Sequence, residues 1–345
     1  MNAACTVVLV SYNSQRDLAR CLPSIMASPV PKQIIVVDNH SDDDTVSWLK
    51  NQFPLVEVYA NSANLGYGVA CNQGLEHAQG EYWCIANPDT VWDTDVLARL
   101  RETAERFPEA LINPAIIQPN GLVNAYGNTM HVTGITTCVD LGETWSDQGE
   151  RYRFPLSASG AVIFAKASVW RELRGFDPDY FLYFEDTNLS LRAFLQNIPV
   201  VCDTRARVVH HYDLKMSPNK FYWLERNRLL TLFEILEART LRRLWPGLLL
   251  TEAATWAFAI LHGPRFILAR FKGYIWLWRH RKSWLRKREI IQATRQVPDG
   301  PLLQRMTYEL PLGQLTGNVR WAQIGNRWLT KIYQALRVRE AHVCE

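Results

Sequence analysis

Short apolar runs alternate with amphipathic stretches along the N-terminal part of the chain. Thr6–Val10 (TVVLV) and Ile34–Val37 (IIVV) are rich in β-branched residues, and each ends in a polar cluster. Because both are too short for helices, we predict that they are strands. Gln15–Met26, which lies between them, carries apolar residues at helical spacing. The three segments together predict a βαβ unit.

The same alternation continues, and it predicts a layered α/β fold. Val56–Ala60 and Tyr82–Ala86 are predicted strands, and Tyr67–Ala78 and Asp95–Phe107 are predicted helices. Repeated units of this kind predict a mostly parallel, doubly wound sheet that binds ligands at the carboxyl ends of its strands. The pattern is less regular from about residue 112 to 209, with predicted strands near Ala115–Gln118 and Ala161–Phe164 and a predicted helix at Asp186–Gln196.

Beyond Phe221 the chain changes to long helical segments with a different charge. Residues 1–200 contain 13 Lys/Arg and 23 Asp/Glu, a net charge of −10, whereas residues 201–345 contain 25 and 11, a net charge of +14. Residues 253–288 hold nine Lys/Arg and no acid, interleaved with eight aromatic residues. This asymmetry predicts two regions with different partners. We place the first domain at residues 1–220 and a helical extension at residues 221–345.

Composition supports a folded protein in a reducing compartment. The chain has 345 residues, of which 48% are hydrophobic and 21% charged, so disorder and fibrous classes are excluded. Its seven cysteines are scattered and form no CxxC pair, which argues against a disulfide framework or a structural zinc site. The N-terminal apolar run is short and lacks a preceding basic segment, so we expect no secretion signal.

Polar clusters follow four of the predicted strands, where a binding site is expected. The clusters are Ser11-Tyr12-Asn13, Asp38-Asn39-His40-Ser41, residues 61–68 (NSANLGYG) and Asn87-Pro88-Asp89. A GxGxxG turn and a GxxxxGK[ST] loop are both missing from this region. A dinucleotide dehydrogenase and a P-loop ATPase are therefore disfavoured, and a different nucleotide site remains open.

These segments, taken in order, resemble family 2 glycosyltransferases of the GT-A fold over about residues 5–235. The shared pieces are VSYN, VVDNHSDDDT, NLGYGVACNQGL, NPD at 87–89, SGAVIF at 159–164, FDPDYFLYFEDTNLSLRA at 176–193, VVHHY at 208–212 and ERN at 225–227. Each piece is weak alone, but eight in the family's order form a strong signal. The chain is most similar to rhamnosyltransferase-like members that build O-antigen and other bacterial surface polysaccharides.

The resemblance implies a role for residues in each cluster. Asp38 would hold the base or ribose of a nucleotide-sugar, and Tyr12 and Asn13 would line the same pocket. Asp89 would bind Mg²⁺ or Mn²⁺ at the diphosphate, with His210 near the metal. The remaining implied positions are Asn64, Gly66 and Asn87 in donor binding, Asp186 as catalytic base and Glu185 in acceptor binding.

Physical chemistry agrees with these roles. A metal held by a hard carboxylate stabilises the negative charge of a departing diphosphate. Inversion needs a base within reach of the acceptor hydroxyl, and desolvation behind the aromatic run 180–184 would raise the basicity of Asp186.

Simpler interpretations of the same residues stay open. Asp38 fits an Asx turn, Asp89 a Pro-Asp turn, and Asp186 the N-cap of its helix. His210 and His211 face opposite sides of a strand, and we choose His210. Where the family often has a second carboxylate this chain has Asn188. The family often has a Gly-rich loop after the His. This chain has residues 213–217 there, in which Lys215 and Ser217 could substitute for the loop's contacts to the diphosphate.

The resulting hypothesis is an inverting, metal-dependent glycosyltransferase. Its donor would be a dTDP- or UDP-sugar, and the resemblance points to dTDP-rhamnose. We expect its acceptor to be a saccharide linked to a polyprenyl diphosphate. The alternatives are a sugar-1-phosphate nucleotidyltransferase and a non-catalytic, membrane-peripheral protein that binds nucleotide-sugars.

The basic aromatic extension favours a membrane partner. Interleaved cations and aromatic rings are typical of interfacial helices on anionic lipid. Residues 244–261 raise a spanning alternative, but Pro246, Gly247 and Glu252 interrupt the apolar run. A buried interface or homodimer contact is a further alternative, and nucleic acid fits poorly. We expect a cytoplasmic protein peripheral to the inner face of the membrane.

Overall fold

The chain forms two compact units. The computed structural model describes residues 4–146, 149–212, 215–310 and 330–331. The first unit contains the described residues up to Asn128 and those from Cys138 to residue 212, and the second contains Thr129–Thr137 and those from Lys215 onward. The boundary placed at residue 220 from the sequence falls inside a helix of the second unit.

A ten-stranded sheet forms the centre of the first unit. Its order is β10-β12-β6-β11-β4-β1-β2-β3, with β5 paired to β12 and β7 paired to β6, while β8 and β9 form a separate two-stranded sheet. The strands are β1 (Cys5–Ser11), β2 (Lys32–Asp38), β3 (Glu57–Ala60), β4 (Tyr82–Ala86), β5 (Thr90–Trp92), β6 (Leu111–Ile117), β7 (Val123–Ala125), β8 (Asn128–Met130), β9 (Thr136–Cys138), β10 (Tyr152–Arg153), β11 (Val162–Lys166) and β12 (Val200–His210).

The long strands of this sheet run in one direction, with one exception. β1, β2, β3 and β4 are mutually parallel, and so are β6 and β12. β11 lies antiparallel between β4 and β6, so the strands on its two sides share a direction. The carboxyl ends of β1, β2, β4 and β12 therefore meet at one edge of the sheet, where ligands of α/β proteins bind.

Helices cover both faces of the sheet because each presents an apolar stripe. On α1, Leu18, Cys21, Leu22 and Ile25 are buried at helical spacing. One core cluster joins α1, α2 and α4 to one face, and another joins α3, α5 and α6 to the opposite face. The helices are α1 (Gln15–Met26), α2 (Thr45–Gln52), α3 (Tyr67–Glu76), α4 (Val96–Arg106), α5 (Ala167–Leu173) and α6 (Glu185–Leu195).

The second unit consists mainly of helices. They are α7 (Pro218–Ile235), α8 (Ala238–His262), α9 (Pro264–Arg279), α10 (Arg281–Thr294) and α11 (Asp299–Arg305). Ser217 caps α7, because its hydroxyl accepts a hydrogen bond from the Lys220 amide at 3.1 Å. Helix α8 is long and apolar enough to cross a membrane. Of its most apolar window, 22% is buried inside the protein.

Candidate active site

Asp38 closes β2 and anchors the first loop of the site. Its side chain is buried, and its carboxylate accepts hydrogen bonds from the Ser41 amide at 2.9 Å and the Ser41 hydroxyl at 2.5 Å. Asn13 lies beside it, donating its amide to Ser41 Oγ at 2.8 Å and accepting from the Asp42 amide at 2.8 Å. Tyr12 is 49% exposed, so its ring is accessible from solvent. Hydrogen bonds through Ser41 and Asp42 thus join the loops after β1 and β2, so Asn13 lies beside Asp38 as predicted. The bonds from Asp38 to Ser41 also form the Asx turn that the sequence left open.

Asn39, which follows Asp38 and had no predicted role, is a structural residue of the site. Its buried amide donates to Asn64 Oδ1 at 2.9 Å and to the Gly66 carbonyl at 3.2 Å, and its carbonyl oxygen accepts from the Leu65 amide at 3.0 Å. One side chain therefore fixes the loop after β3 against the end of β2. A buried Asn directly after a strand is the available signal, since such an amide must find several partners.

Gly66 holds that loop against the segment that precedes α6. Its φ is +88°, and a Cβ at this position would lie 2.6 Å from the Phe181 carbonyl oxygen. The Tyr67 amide donates to the same oxygen at 2.8 Å. Both the backbone conformation and this close approach require glycine. Asn64 and Gly66 thus shape the site through the backbone.

Asp89 and His210 meet at the carboxyl end of β4. The His210 Nε2 atom lies 3.1 Å from Asp89 Oδ1, and His210 pairs with Thr90 in the register of β12 and β5. His210 is buried, whereas His211 is exposed and donates its amide to the Asp89 carbonyl at 2.9 Å. Burial acts to raise the pKa of Asp89, but His210, a backbone hydrogen bond and the charge of His211 together lower it more, so the net shift is downward. The structure thus directs His210, and not His211, toward the carboxylate.

Asn87 positions this corner by its backbone. Its amide donates to the Ala161 carbonyl at 2.9 Å, and its carbonyl accepts from the Thr90 hydroxyl at 2.7 Å. The NPD segment is therefore a tight turn as well as the carrier of Asp89.

The donor set of Asp89 and His210 fits a divalent cation. Asp89 Oδ1 and both ring nitrogens of His210 are buried, and none has a hydrogen-bond partner of acceptable geometry among the described residues. Carboxylate oxygen and imidazole nitrogen are ligands for Mg²⁺ or Mn²⁺. The described part of the chain brings no third His, Cys, Asp or Glu to the pair. A cation held there would need further ligands besides these two side chains.

Glu185 and Asp186 begin α6, where Glu185 is buried and Asp186 is half-buried. The N-cap is Phe184 and α6 starts at Glu185, so the N-cap interpretation of Asp186 is wrong. Asp186 Oδ2 accepts from the Gly160 amide at 2.8 Å, and Oδ1 accepts from the Thr187 amide at 2.7 Å. These two bonds fix the orientation of the Asp186 carboxylate.

Burial makes both carboxyl groups more basic than usual. Desolvation raises the pKa of Asp186 despite its amide hydrogen bonds. Desolvation and the Asp186 charge raise the pKa of Glu185 to about 8. Glu185 Oε2 is buried and has no hydrogen-bond partner within residues that the structure describes. Among the described residues, no Lys, Arg or His contributes to the pKa shift of either carboxyl group.

Two tyrosines connect the carboxylate pair to the Asp89–His210 corner, and neither was predicted. The hydroxyl groups of Tyr183 and Tyr212 are hydrogen-bonded to each other. The Tyr212 ring stacks on His210 with centroids 5.4 Å apart. Tyr183 and Phe184 have φ angles of +64° and +68°, a costly conformation for bulky residues. The strained turn thus places Tyr183, two residues before Glu185, within hydrogen-bond reach of Tyr212.

The predicted site residues therefore gather in the first unit, in two linked groups. The loops after β1, β2 and β3 carry Asp38 and its neighbours. The ends of β4, β12 and the start of α6 carry Asp89, His210, Glu185 and Asp186. Residues 213 and 214 of the loop predicted to contact the diphosphate lie outside the described residues.

Comparisons with known proteins agree on one family. The profile of glycosyl transferase family 2 matches residues 6–165, and that of glycosyl transferase family group 2 matches residues 87–279. The N-acetylglucosaminyl-diphospho-decaprenol L-rhamnosyltransferase of Mycobacterium tuberculosis is 30% identical over 231 residues, which cover 59% of this chain and 75% of that protein. The O-antigen biosynthesis protein RfbC of Myxococcus xanthus is 25% identical over 238 residues, or 63% of this chain and 18% of that protein.

A solved structure supports the fold. The crystal structure of GalNAc-T7 with UDP, GalNAc and Mn²⁺ superposes with a TM-score of 0.57 at 14% sequence identity. The match covers 71% of this chain and 50% of that one, so this chain corresponds to half the length of that structure.

Proposed function

This chain belongs to glycosyl transferase family 2, and on that premise we propose that it transfers L-rhamnose from dTDP-rhamnose to a lipid-linked saccharide with inversion. Glycosyl transfer and the GT-A fold follow from the family and the shape of the first unit. The donor and acceptor are proposed from the mycobacterial relative. The observation that carries the mechanism is the largely buried carboxylate pair Glu185 and Asp186, which no cation of the described residues neutralises, linked through Tyr183 and Tyr212 to the Asp89–His210 corner.

We assign the nucleotide to the loops after β1 and β2. Asp38 is held by Ser41, so its remaining lone pairs point in a fixed direction toward a base or ribose. Tyr12 provides an exposed ring for stacking on the base, and Asn13 closes the pocket wall. The same residues would accept a dTDP- or a UDP-sugar, and the test below separates the two.

We assign the diphosphate to Asp89 and His210. A divalent cation bound there supplies positive charge that stabilises the departing nucleoside diphosphate without protonating it. Asp89 stays ionised because its pKa is lowered, which keeps it an effective ligand. Asn87 fixes the turn that aims this carboxylate.

We assign deprotonation of the acceptor to Asp186. The acceptor oxygen forms a bond to the anomeric carbon as the bond from that carbon to the phosphate oxygen breaks, and the hydroxyl proton passes to Asp186. Amides of Gly160 and Thr187 hold the carboxylate in place, and burial raises its pKa, which favours acceptance of a proton. Glu185 Oε2 lacks a partner in the described structure and is assigned to orient the acceptor hydroxyl.

The acceptor determines the proposed location. A saccharide linked through diphosphate to a polyprenol remains in the membrane, so an enzyme using it works at the membrane surface. We therefore propose a cytoplasmic protein peripheral to the inner face of the membrane.

The decisive experiment is a donor panel assayed with the full chain. Purified protein is incubated with dTDP-rhamnose and several UDP-sugars, with a synthetic GlcNAc-diphospho-lipid, with and without Mn²⁺, and products are identified by mass spectrometry. We expect rhamnosyl transfer that depends on the cation. Pyrophosphate release from dTTP and rhamnose-1-phosphate would instead indicate a nucleotidyltransferase, and nucleotide-sugar binding without turnover a non-catalytic protein.

A further inference from the structure

Helix α9 is apolar on two opposite sides. Phe266, Ala269, Gly273 and Leu277 are buried within the second unit. Successive residues of a helix are about 100° apart, so residues three and four positions apart lie on one side of it. Large apolar residues at this spacing form a second stripe on the side of α9 opposite to its buried residues. That stripe is exposed to solvent and consists of Leu268 (53% exposed), Phe271 (52%), Ile275 (48%) and Trp278 (66%).

Helix α8 continues this exposed surface. Its buried positions include Leu244, Gly247, Thr251 and Ala259, and its opposite side exposes Trp245, Leu249 and Ile260. The Trp256 ring of α8 contacts the Phe271 ring of α9 edge-on, with centroids 5.1 Å apart. The two exposed stripes are therefore continuous, and we call them the outer face: Trp245, Leu249, Ile260, Leu268, Phe271, Ile275 and Trp278.

Cations line one edge of the outer face. Arg265, Lys272 and Arg279 recur every seven residues, beside the stripe of α9 and on the side away from the buried positions. All three are exposed, and no acid in the described part of the chain forms an ion pair with them. Unbalanced cations next to exposed aromatic and aliphatic side chains complement an anionic, partly apolar surface.

Helix α8 is held to the second unit by its one interior acid. Glu252 accepts hydrogen bonds from Arg228 of α7, and from Arg270 and Tyr274 of α9. A membrane-spanning α8 would leave these partners and carry Glu252 into hydrocarbon, while Arg228 and Arg270 lost their counter-charge. The network therefore favours a helix that lies along a surface.

We propose that the outer face docks on an anionic phospholipid membrane, with α8 and α9 lying in the headgroup region. Trp245 and Trp278 sit at the depth that tryptophan prefers, and the three cations meet lipid phosphates. The proposal rests on the proposed function only for the choice of the inner leaflet. Vesicle binding is measured without turnover, so either proposal can fail alone.

The test is flotation of the full chain with vesicles. Vesicles of phosphatidylcholine with one quarter phosphatidylglycerol are compared with vesicles of phosphatidylcholine alone, at low and high salt. We expect binding to the anionic vesicles that weakens with salt. The triple variant R265Q/K272Q/R279Q should bind roughly 100-fold more weakly, at about fivefold per cation, and F271S/W278S at least about tenfold more weakly.

A matched control removes the same number of exposed cations from the first unit. K50Q/R174Q/R205Q should bind like the parent protein. Circular dichroism and the midpoint of thermal unfolding show whether each variant folds. If only one of R265Q/K272Q/R279Q and F271S/W278S folds, that variant is enough to test the outer face.

Three results would overturn the proposal. One is binding that the control variant weakens as much as R265Q/K272Q/R279Q does. Another is a homodimer in analytical ultracentrifugation that F271S/W278S dissociates, since a second copy would then cover the face. The third is vesicle-bound protein that alkaline carbonate does not extract, which would indicate a spanning helix.

Discussion

Two pairs of largely buried carboxylates, one in each unit, have opposite surroundings. Glu185 and Asp186 in the first unit lie next to each other, no Lys or Arg within the described ranges neutralises them, and burial raises the pKa of both. Glu225 and Glu252 in the second unit are bracketed by Arg228 and Arg270. Burial acts to raise the pKa of Glu252 as well, but the arginines and Tyr274 lower it below its ordinary value.

This difference distinguishes a carboxylate pair suited to proton transfer from one suited to holding helices together. A buried carboxylate without a counter-charge is costly and basic, which suits a group that must accept a proton. A carboxylate enclosed by arginines is fixed in its charged form and holds helices together. The Asp89–His210 pair lies between these cases, because an imidazole is a weaker and exchangeable partner.

Replacing the base should have the largest effect on activity. For Asp186→Asn we expect kcat to fall by about 10²–10⁴-fold, because the carboxylate that accepts the acceptor proton is lost. The Gly160 amide can still donate to the Asn oxygen, so a cooperative thermal transition should remain. Asp179→Asn, a change in the half-buried turn before α6, serves as the control. Near-normal transfer by Asp186→Asn would remove the base assignment.

Removing one arginine from the second pair should affect stability instead. Arg270→Met leaves Glu225 and Glu252 with an incomplete counter-charge in a buried site. We expect a loss of about 3–5 kcal/mol in the free energy of unfolding, measured by urea titration. The neighbouring exposed Lys272→Met should change it by about 0.5 kcal/mol or less. Equal effects of the two changes would show that the arginine bracket does not stabilise the unit.

Replacing a member of the Asp89–His210 pair should change the metal dependence of turnover. For Asp89→Ala we expect loss of metal-stimulated turnover, by about 10²–10³-fold, with the fold retained. Mn²⁺ binding in the presence of nucleoside diphosphate, followed by electron paramagnetic resonance, should weaken for both Asp89→Ala and His210→Ala. His211→Ala is the matched control and should bind as the parent does. An unchanged metal dependence in Asp89→Ala would exclude this residue as a ligand.

A pH dependence of stability is expected from the buried Glu185 carboxyl group. The pKa of Glu185 is raised from 4.5 to about 8 in the folded chain, so the folded state binds more protons than the unfolded state between these values. Stability from this group is therefore present at low pH and falls as pH rises from about 5 to 8. Glu185→Gln should flatten this fall in the midpoint of thermal unfolding. A slope identical to that of the parent would show that Glu185 is not held protonated by its surroundings.

Local pattern determined much of the first unit. Period-two and period-3.6 patterns are set by near neighbours in the chain, so α1 was predicted at its observed bounds and β4 likewise. The α/β fold, the family and the enzyme class were confirmed. β12 was not predicted as one strand, because Asp203 and Arg205 interrupt its apolar pattern and its register shifts between Asp203 and Arg207.

Contacts between distant residues were decided only by the tertiary structure. The pairing of Glu252 with Arg228 spans 24 residues and that of Glu225 with Arg270 spans 45, and no periodic pattern encodes such partners. The bond between Tyr183 and Tyr212 and the choice of His210 over His211 depend likewise on how β12 meets the turn before α6. The sequence alone determines which residues can carry charge and where strands end, whereas burial and neighbouring charge, which only folding creates, determine how basic each carboxylate becomes.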